Sequence, residues 1–343
     1  MAKKKTINKD KLSELIFKET SPIRSKWADY ADERLVPKYN VCRFDDRGDN
    51  RFYYFIHEGE LVIASGVTEP FGAVSTEREA INKWKEKYPN WRHLMNVSSD
   101  YGTIEHQVFG EISLGMKVNK KLLESMSKIA RDNDKSSEMP LRDVLAYLKF
   151  QEDCKPKTLL SEAQIAWQDP NSKEWLAMTI DNLSEIEITE TTKEMKEDGV
   201  WQRGEKKGQP KFIEVKTETK RKIIALIDYK SNFFEKDKKS FYEAHTLQLI
   251  AGGLAVEQNF GIKVDAYYNF SPNNWRKEPS YTLYEHKITD WDMGLWWDYW
   301  RLIIRKGYNK PSGGFLITEG FKNSSDYKIL SYKEYVEQVI LKQ

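Results

Sequence analysis

The chain has 343 residues, enough for two domains or one core with sizeable additions, and its 55 Lys and Arg against 53 Asp and Glu leave a formal charge of only +2. A site for a polyanion must therefore be a local patch rather than a property of the whole surface. Two cysteines, Cys42 and Cys154, exclude a disulfide framework and a four-cysteine zinc or iron–sulfur centre within one chain, and fit a reducing, cytoplasmic setting.

Met1-Ala2-Lys3-Lys4-Lys5 is basic, but no apolar stretch follows it and no run approaches the ~20 apolar residues of a membrane span. No membrane association is expected, and the lysines read as a solvated tail. Residues 7–36 read as one or two helices, with Leu12, Leu15 and Ile16 on one face and a break at Ser21-Pro22. A hairpin follows, from Phe52–Ile56 and Leu61–Ala64 around His57-Glu58-Gly59-Glu60. Ser75–Glu79 then reads as the capped entry to a helix carrying Ala80, Ile81 and Trp84 and ending near Pro89. Residues 1–99 thus form an N-terminal α+β region.

From Asp100 the pattern is helical through Val108, Ile112, Leu114 and Met116, again over Leu122–Ala130, and again over Leu141–Phe150. Strand candidates follow at Ala163–Trp167, Trp175–Ile180 and Ile223–Ile227, then a helix over Tyr242–Phe260 and a strand over Val264–Phe270. Residues 184–222 read as an inserted hairpin with a Gly- and Lys-rich tip that includes Lys206, Lys207, Lys211 and Lys216. The order is helix, three strands, helix, strand, over residues 100–270. Residues 271–343 form a C-terminal, helical extension. In it Trp296, Trp297, Trp300, Ile303 and Ile304 make a packing stripe in preference to a base-stacking one, with Arg301, Arg305 and Lys306 free to line a phosphate track.

The most informative segment is Asp228-Tyr229-Lys230, at the end of the apolar run Ile223–Ile227. Strand side chains alternate, so Asp228 and Lys230 share one face while Tyr229 turns away into packing. An acid and a lysine together at the end of a buried strand invite a metal, a phosphate, or both. Glu194-Met195-Lys196, Asp237-Lys238-Lys239 and Glu285-His286-Lys287 have the same spacing but follow no β-branched run. Glu214-Val215-Lys216 is the serious rival, although its alternating strand fits charges that face water.

Four separated pieces stand in order: Gly102-Thr103-Ile104-Glu105-His106 opening a helix, Asp181 ending a strand, Asp228-Tyr229-Lys230 ending the next, and Gln248 in the following helix. Together with Ser65-Gly66-Val67-Thr68, this set resembles the RecB-like branch of the PD-(D/E)XK nuclease superfamily, which includes lambda-type and mitochondrial genome maintenance exonucleases. The resemblance covers roughly residues 60–270. It implies an α/β (α+β) fold with a restriction-endonuclease-like core, a central mixed sheet flanked by helices.

It also implies His106, Asp181, Asp228 and the carbonyl of Tyr229 as metal ligands and Lys230 as the catalytic lysine. Gln248 matches the glutamine of the family's Gln-x-x-x-Tyr element, but its tyrosine position is Gly252. The acid usually four residues after the histidine is displaced too: Gly110 stands there and Glu111 comes next. Asp181 as a turn cap, Glu162 as a site acid or a surface acid, and Gln248 as an ordinary helix residue remain open.

Physics supports the set. Two carboxylates ~4 Å apart repel by about 4 kcal/mol at an effective dielectric of ~20, which a divalent cation relieves. Oxygen ligands suit Mg²⁺ or Mn²⁺, and an imidazole favours Mn²⁺. The expected function is a metal-dependent DNA exonuclease for end processing, of phage or mobile-element type, with DNA as partner and a single-strand annealing or single-strand-binding protein as a candidate companion. The alternatives are an endonuclease of the same core and an inactive nucleic-acid-binding protein. No phosphate-binding Gly-Lys loop, His-Glu-x-x-His helix or Gly-x-Ser-x-Gly elbow is present.

Overall fold

A computed structural model describes residues 35, 37–45, 51–75, 78–204, 206, 208–231, 233 and 241–310. Apart from Leu35, the expected helices over 7–36 lie outside these residues, as do the basic start, the chain beyond 310, Lys207 and the Asp237 triplet. The first three strands, β1 (Cys42–Asp45), β2 (Arg51–His57) and β3 (Glu60–Gly66), form an antiparallel meander. Its second turn has two residues, Glu58 and Gly59, with φ of 51° and 82°. Positive φ at both positions matches the right-handed twist of the flanking strands.

Five helices follow: α1 (Thr68–Val74), α2 (Arg78–Lys87), α3 (Trp91–Ser113), α4 (Lys120–Asp132) and α5 (Met139–Cys154). Then come β4 (Lys157–Gln168), β5 (Trp175–Val200), β6 (Pro210–Tyr229), α6 (Glu243–Phe260), β7 (Ala266–Pro272), β8 (Tyr281–Glu285) and α7 (Asp290–Lys306). The strands form one mixed sheet in the order β1-β2-β3-β5-β6-β7-β8, with β4 also paired to β5. The β3–β5 and β6–β7 pairs are parallel and the others antiparallel.

Helices cover both faces. On one, α1, α6 and α7 bury Phe71, Leu247, Ile250, Trp296 and Trp300 against Leu183 and Leu226. On the other, α3 and α5 bury Phe109, Tyr147 and Phe150 against Ile223, Ile227, Tyr229 and Phe270. With both faces covered, β6 is apolar at every position from Ile223 to Ile227 rather than alternating. Trp296 and Trp300 are buried, and their indole N–H groups donate to the Leu247 carbonyl and the Asp169 carboxylate. The tryptophan stripe is thus a packing face. At the edge of this face, Arg301 and Arg305 line a surface groove of about 450 Å³ together with Trp297, Asn171 and Ser172.

Several sequence expectations change in detail. Helix α3 starts at Trp91, so the Gly102–His106 segment lies within a helix rather than opening one, and the division at residue 99 falls inside α3. Asp181 does not end a strand: β5 runs unbroken from Trp175 into the hairpin arm. The residues 184–222 are therefore not a separate insertion but the outward continuation of β5 and β6, paired from Asn182 with Ile227 to Val200 with Pro210. Beyond Glu187 the arm extends roughly 40 Å at ~3.3 Å per residue. Diagonal ion pairs lace it, including Lys220–Glu187 at 2.9 Å and Lys193–Glu214 at 3.2 Å. Strands β1 and β8 were not anticipated. No helix among the described residues is long and apolar enough to cross a membrane.

Candidate metal centre

Asp181 and Asp228 stand side by side, because the β5–β6 register that pairs Asn182 with Ile227 brings them opposite each other. Both are buried, as is Tyr229. The Tyr229 backbone N–H donates to Asp181 Oδ2 at 2.8 Å. Its side chain turns away, as the alternation requires, and bonds the Tyr147 hydroxyl at 2.6 Å. Asp228 Oδ2 lies 2.7 Å from Lys230 Nζ. Glu214, the rival acid, is exposed on the arm and paired with Lys193.

Gln248 joins this pair from α6. Its Nε2 donates to Asp228 Oδ1 at 2.8 Å and its Oε1 accepts from Lys230 Nζ at 3.2 Å, so one amide orients both charged groups. The helix lies close to the sheet here. A Cβ on Gly252 would come within 2.7 Å of Leu226 Cδ2 and 3.3 Å of Ile180 Cδ1, so a larger side chain there would have to displace the ends of those side chains.

From α3, on the other side, His106 Nδ1 reaches Asp181 Oδ2 at 3.4 Å and Glu162 Oε1 at 4.0 Å. Ligand atoms of His106, Glu162 and Asp181 all lie within 4.8 Å of one another. Glu162 occupies a local break in β4. Leu160 and Ala163 pack in the same core cluster although three residues apart, and so do Ile180 and Leu183 on β5. Strict alternation would put them on opposite faces. Glu162 falls between, with φ of 49°, a left-handed conformation that costs a non-glycine residue about 1–3 kcal/mol.

The strain has a counterpart: Glu162 Oε1 is buried without a hydrogen-bond partner. A buried carboxylate oxygen left unbonded, beside two more carboxylates and an imidazole, is the donor set a divalent cation satisfies. Glu111 belongs elsewhere. Its Oε2 accepts from the Asn119 backbone N–H, at the start of α4.

Charge is crowded in this site. Burial and the Asp181 charge push the Glu162 carboxyl up to about 8. Burial and Asp181 also raise Asp228, against the pull of Lys230. Burial works against the His106 imidazolium, but Asp181, Glu162 and Glu105 outweigh it and raise the group to about 9. Burial would raise Asp181 as well, yet His106, the Tyr229 N–H and Lys230 hold it below its ordinary value.

A pH dependence follows for the metal-free protein. His106 and Glu162 both hold protons more tightly when folded than when unfolded, so their stabilisation is complete below the ordinary values and is lost as pH rises through about 8 and 9. In EDTA, Tm is expected to fall between pH 6.5 and 9. The upward shift caused by Mn²⁺ is expected to grow over the same interval, because the ion competes with those protons. Calorimetric scans at four pH values check both trends, and a Tm that stays level in EDTA contradicts the charge arrangement.

Comparison with known proteins adds no family. No family model and no curated protein matches this chain.

The sequence brought out His106, Asp181, Asp228, Tyr229, Lys230 and Gln248, and all six meet in this region. It left Glu162 undecided and missed Asn269, whose Nδ2 donates to the Asp228 carboxylate. Asn269 did carry a signal. A polar side chain in the otherwise apolar strand Tyr267–Phe270 needs a buried partner.

Proposed function

We propose that this chain is a metal-dependent nuclease of the RecB-like PD-(D/E)XK type, acting on DNA ends as an exonuclease. The observation that carries the reading is the convergence of His106, Glu162 and Asp181 within 4.8 Å beside the Asp228–Lys230 pair. Further support comes from the order α3-α4-α5-β4-β5-β6-α6-β7, in which the three strands, the helix and the strand that the resemblance implies follow one another after a set of helices.

His106, Glu162, Asp181 and Asp228 would hold a divalent cation, with the Tyr229 carbonyl as a further oxygen. The ion would supply Lewis-acid stabilisation of the phosphate and lower the pKa of a water. One imidazole among several oxygens favours Mn²⁺ over Mg²⁺. Lys230 neutralises negative charge as it builds on the phosphate, and Gln248 keeps its ammonium directed at the site. The β5–β6 arm extends the wall along which a strand would be led.

His106→Ala is expected to raise the Mn²⁺ concentration giving half-maximal cleavage by about 10- to 100-fold, since one ligand is lost while the carboxylates stay. Asp181→Ala is expected to be more severe. An unchanged Mn²⁺ titration for His106→Ala would remove the histidine from the site.

The test of the function compares linear and covalently closed circular DNA with Mg²⁺, Mn²⁺ or EDTA. Mononucleotides or short oligonucleotides from linear DNA, with circles resistant, support the exonuclease. Linearisation of circles, lost in Asp228→Ala, replaces it with the endonuclease. Binding of DNA without cleavage in any metal replaces it with an inactive binding protein.

A further inference from the structure

Behind Asp228, on the side away from β5, a chain of hydrogen bonds runs through residues to which the proposed reaction gives no part. Strand β7 lies parallel to β6 with Asn269 beside Asp228. Asn269 Nδ2 donates to Asp228 Oδ2, Asn269 Oδ1 lies 2.7 Å from His286 Nε2, and His286 Nδ1 lies 2.9 Å from the Thr246 hydroxyl on α6. Asn269 is wholly buried and His286 nearly so.

The direction of every bond in this chain is determined by its end. A carboxylate only accepts, so Asn269 must present its NH₂ group to Asp228 and its carbonyl to His286. That carbonyl only accepts, so His286 carries its proton on Nε2 and leaves Nδ1 to accept from Thr246. All three donors therefore point toward Asp228. The neutral imidazole this requires fits its burial and the nearby Lys230 charge, which lower His286 to about 4.

We propose that Asn269 and His286 are positioning residues that fix the orientation of the Asp228 carboxylate for its cation and its lysine. The proposal rests on the reading of Asp228 as a metal ligand. Among the described residues, Asp228 Oδ2 takes two donors, Asn269 and Lys230, while Oδ1 takes Gln248. Without Asn269, the carboxylate keeps Lys230 and Gln248 but loses its donor from β7, so rotation about its Cβ–Cγ bond is less restrained. Groups hydrogen-bonded to ligating carboxylates and imidazoles commonly matter by 10- to 100-fold in metal affinity or rate. Isolated burial does not explain His286, because a packing role needs no particular ring nitrogen.

The experiment measures the Mn²⁺ concentration that produces half of the maximal Tm shift, alongside KM and kcat on linear DNA, for the full chain and for Asn269→Ala, His286→Ala and His286→Gln. The glutamine can offer an N–H near the position of Nε2. Asn269→Ala is expected to raise the Mn²⁺ midpoint by about 10- to 100-fold and to lower kcat with KM for DNA unchanged. His286→Ala is expected to follow by about 10-fold, and His286→Gln to recover most of that loss.

Equal behaviour of His286→Gln and His286→Ala, or wild-type Mn²⁺ midpoints in Asn269→Ala, would overturn the proposal. So would the absence of any Mn²⁺-induced shift in the wild type. Should Asn269→Ala not melt cooperatively in EDTA, Thr246→Val carries the test through the far end of the chain. It is expected to raise the midpoint, and an unchanged midpoint would count against the proposal. Because the Tm shift needs no turnover, a wild type that binds Mn²⁺ through this chain yet cleaves no DNA would sink the nuclease reading and leave the positioning role standing.

Discussion

Asp228→Ala and Lys230→Ala are each expected to lower DNA cleavage by at least about 10²- to 10³-fold while the protein still melts cooperatively. The first substitution removes the carboxylate that orients Lys230 and faces Asp181; the second removes the ammonium held 2.7 Å from that carboxylate. Neither change should unfold the chain. Asp181, Glu162 and Asp228 repel one another, so losing Asp228 removes part of that repulsion and offsets the loss of its pairing with Lys230. Lys230→Ala does leave Asp228 without its cation, and its carboxyl then takes up a proton more readily. Glu214→Ala is the control. That acid sits on the exposed arm against Lys193, an ion pair worth about 0–1 kcal/mol, and cleavage should stay near the wild-type rate. Initial rates for the three variants, normalised to the fraction folded, decide whether the chemistry belongs to the buried acid or to the arm.

Removal of metal is the second large effect. With the ion chelated, the site keeps its crowded carboxylates and loses what neutralises them, so turnover should cease in EDTA and return on adding Mn²⁺. The same ion should stabilise the fold. At a concentration ~1,000 times its Kd, a ligand that binds only the folded state contributes about 4 kcal/mol. The wild type should therefore melt several degrees higher in Mn²⁺, and Asp181→Ala should lose most of that increase. Glu162→Gln offers a sharper separation. It should raise Tm in EDTA at pH 9, above the value of about 8 to which the site pushes this carboxyl, because an unbonded buried carboxylate becomes a neutral amide, yet blunt the response to Mn²⁺. Thermal scans of these proteins with and without the ion check the pattern, and a Glu162→Gln variant with the full Mn²⁺ response would exclude Glu162 from the centre.

The parts of the site that the sequence disclosed are those whose signal is local. The run Ile223–Ile227 could only be a buried strand, and alternation then fixed which way Asp228, Tyr229 and Lys230 point. Glu214 was separated from Asp228 by the same means. The start of α3 was not legible, because Arg92-His93-Leu94-Met95-Asn96 and Ser98-Ser99 show little apolar periodicity. Only packing of Val97 and Tyr101 against the cluster around Met126 and Val144 makes that turn worth forming. Strand β8 is short, half-exposed and, among the described residues, paired through β7 alone, so no sequence pattern marked it.

Glu162 shows a different limit. A left-handed residue is usually announced by glycine, asparagine or aspartate, and a glutamate there is held by the surrounding sheet rather than by its own preference. His286 belonged to a triplet, Glu285-His286-Lys287, that was set aside for lacking a strand run before it. Its histidine reaches Asp228 through Asn269 across two strands, a contact that only the sheet order creates.

The most direct measurement of the central claim is a time course of end-labelled linear DNA with the purified wild type in Mn²⁺, run beside wild type in EDTA and Asp228→Ala in Mn²⁺. Progressive release of short labelled products in the first arm, with neither control releasing any, is the predicted result. Release that persists in EDTA, or at equal rate in Asp228→Ala, would contradict the assignment of this centre to phosphodiester hydrolysis.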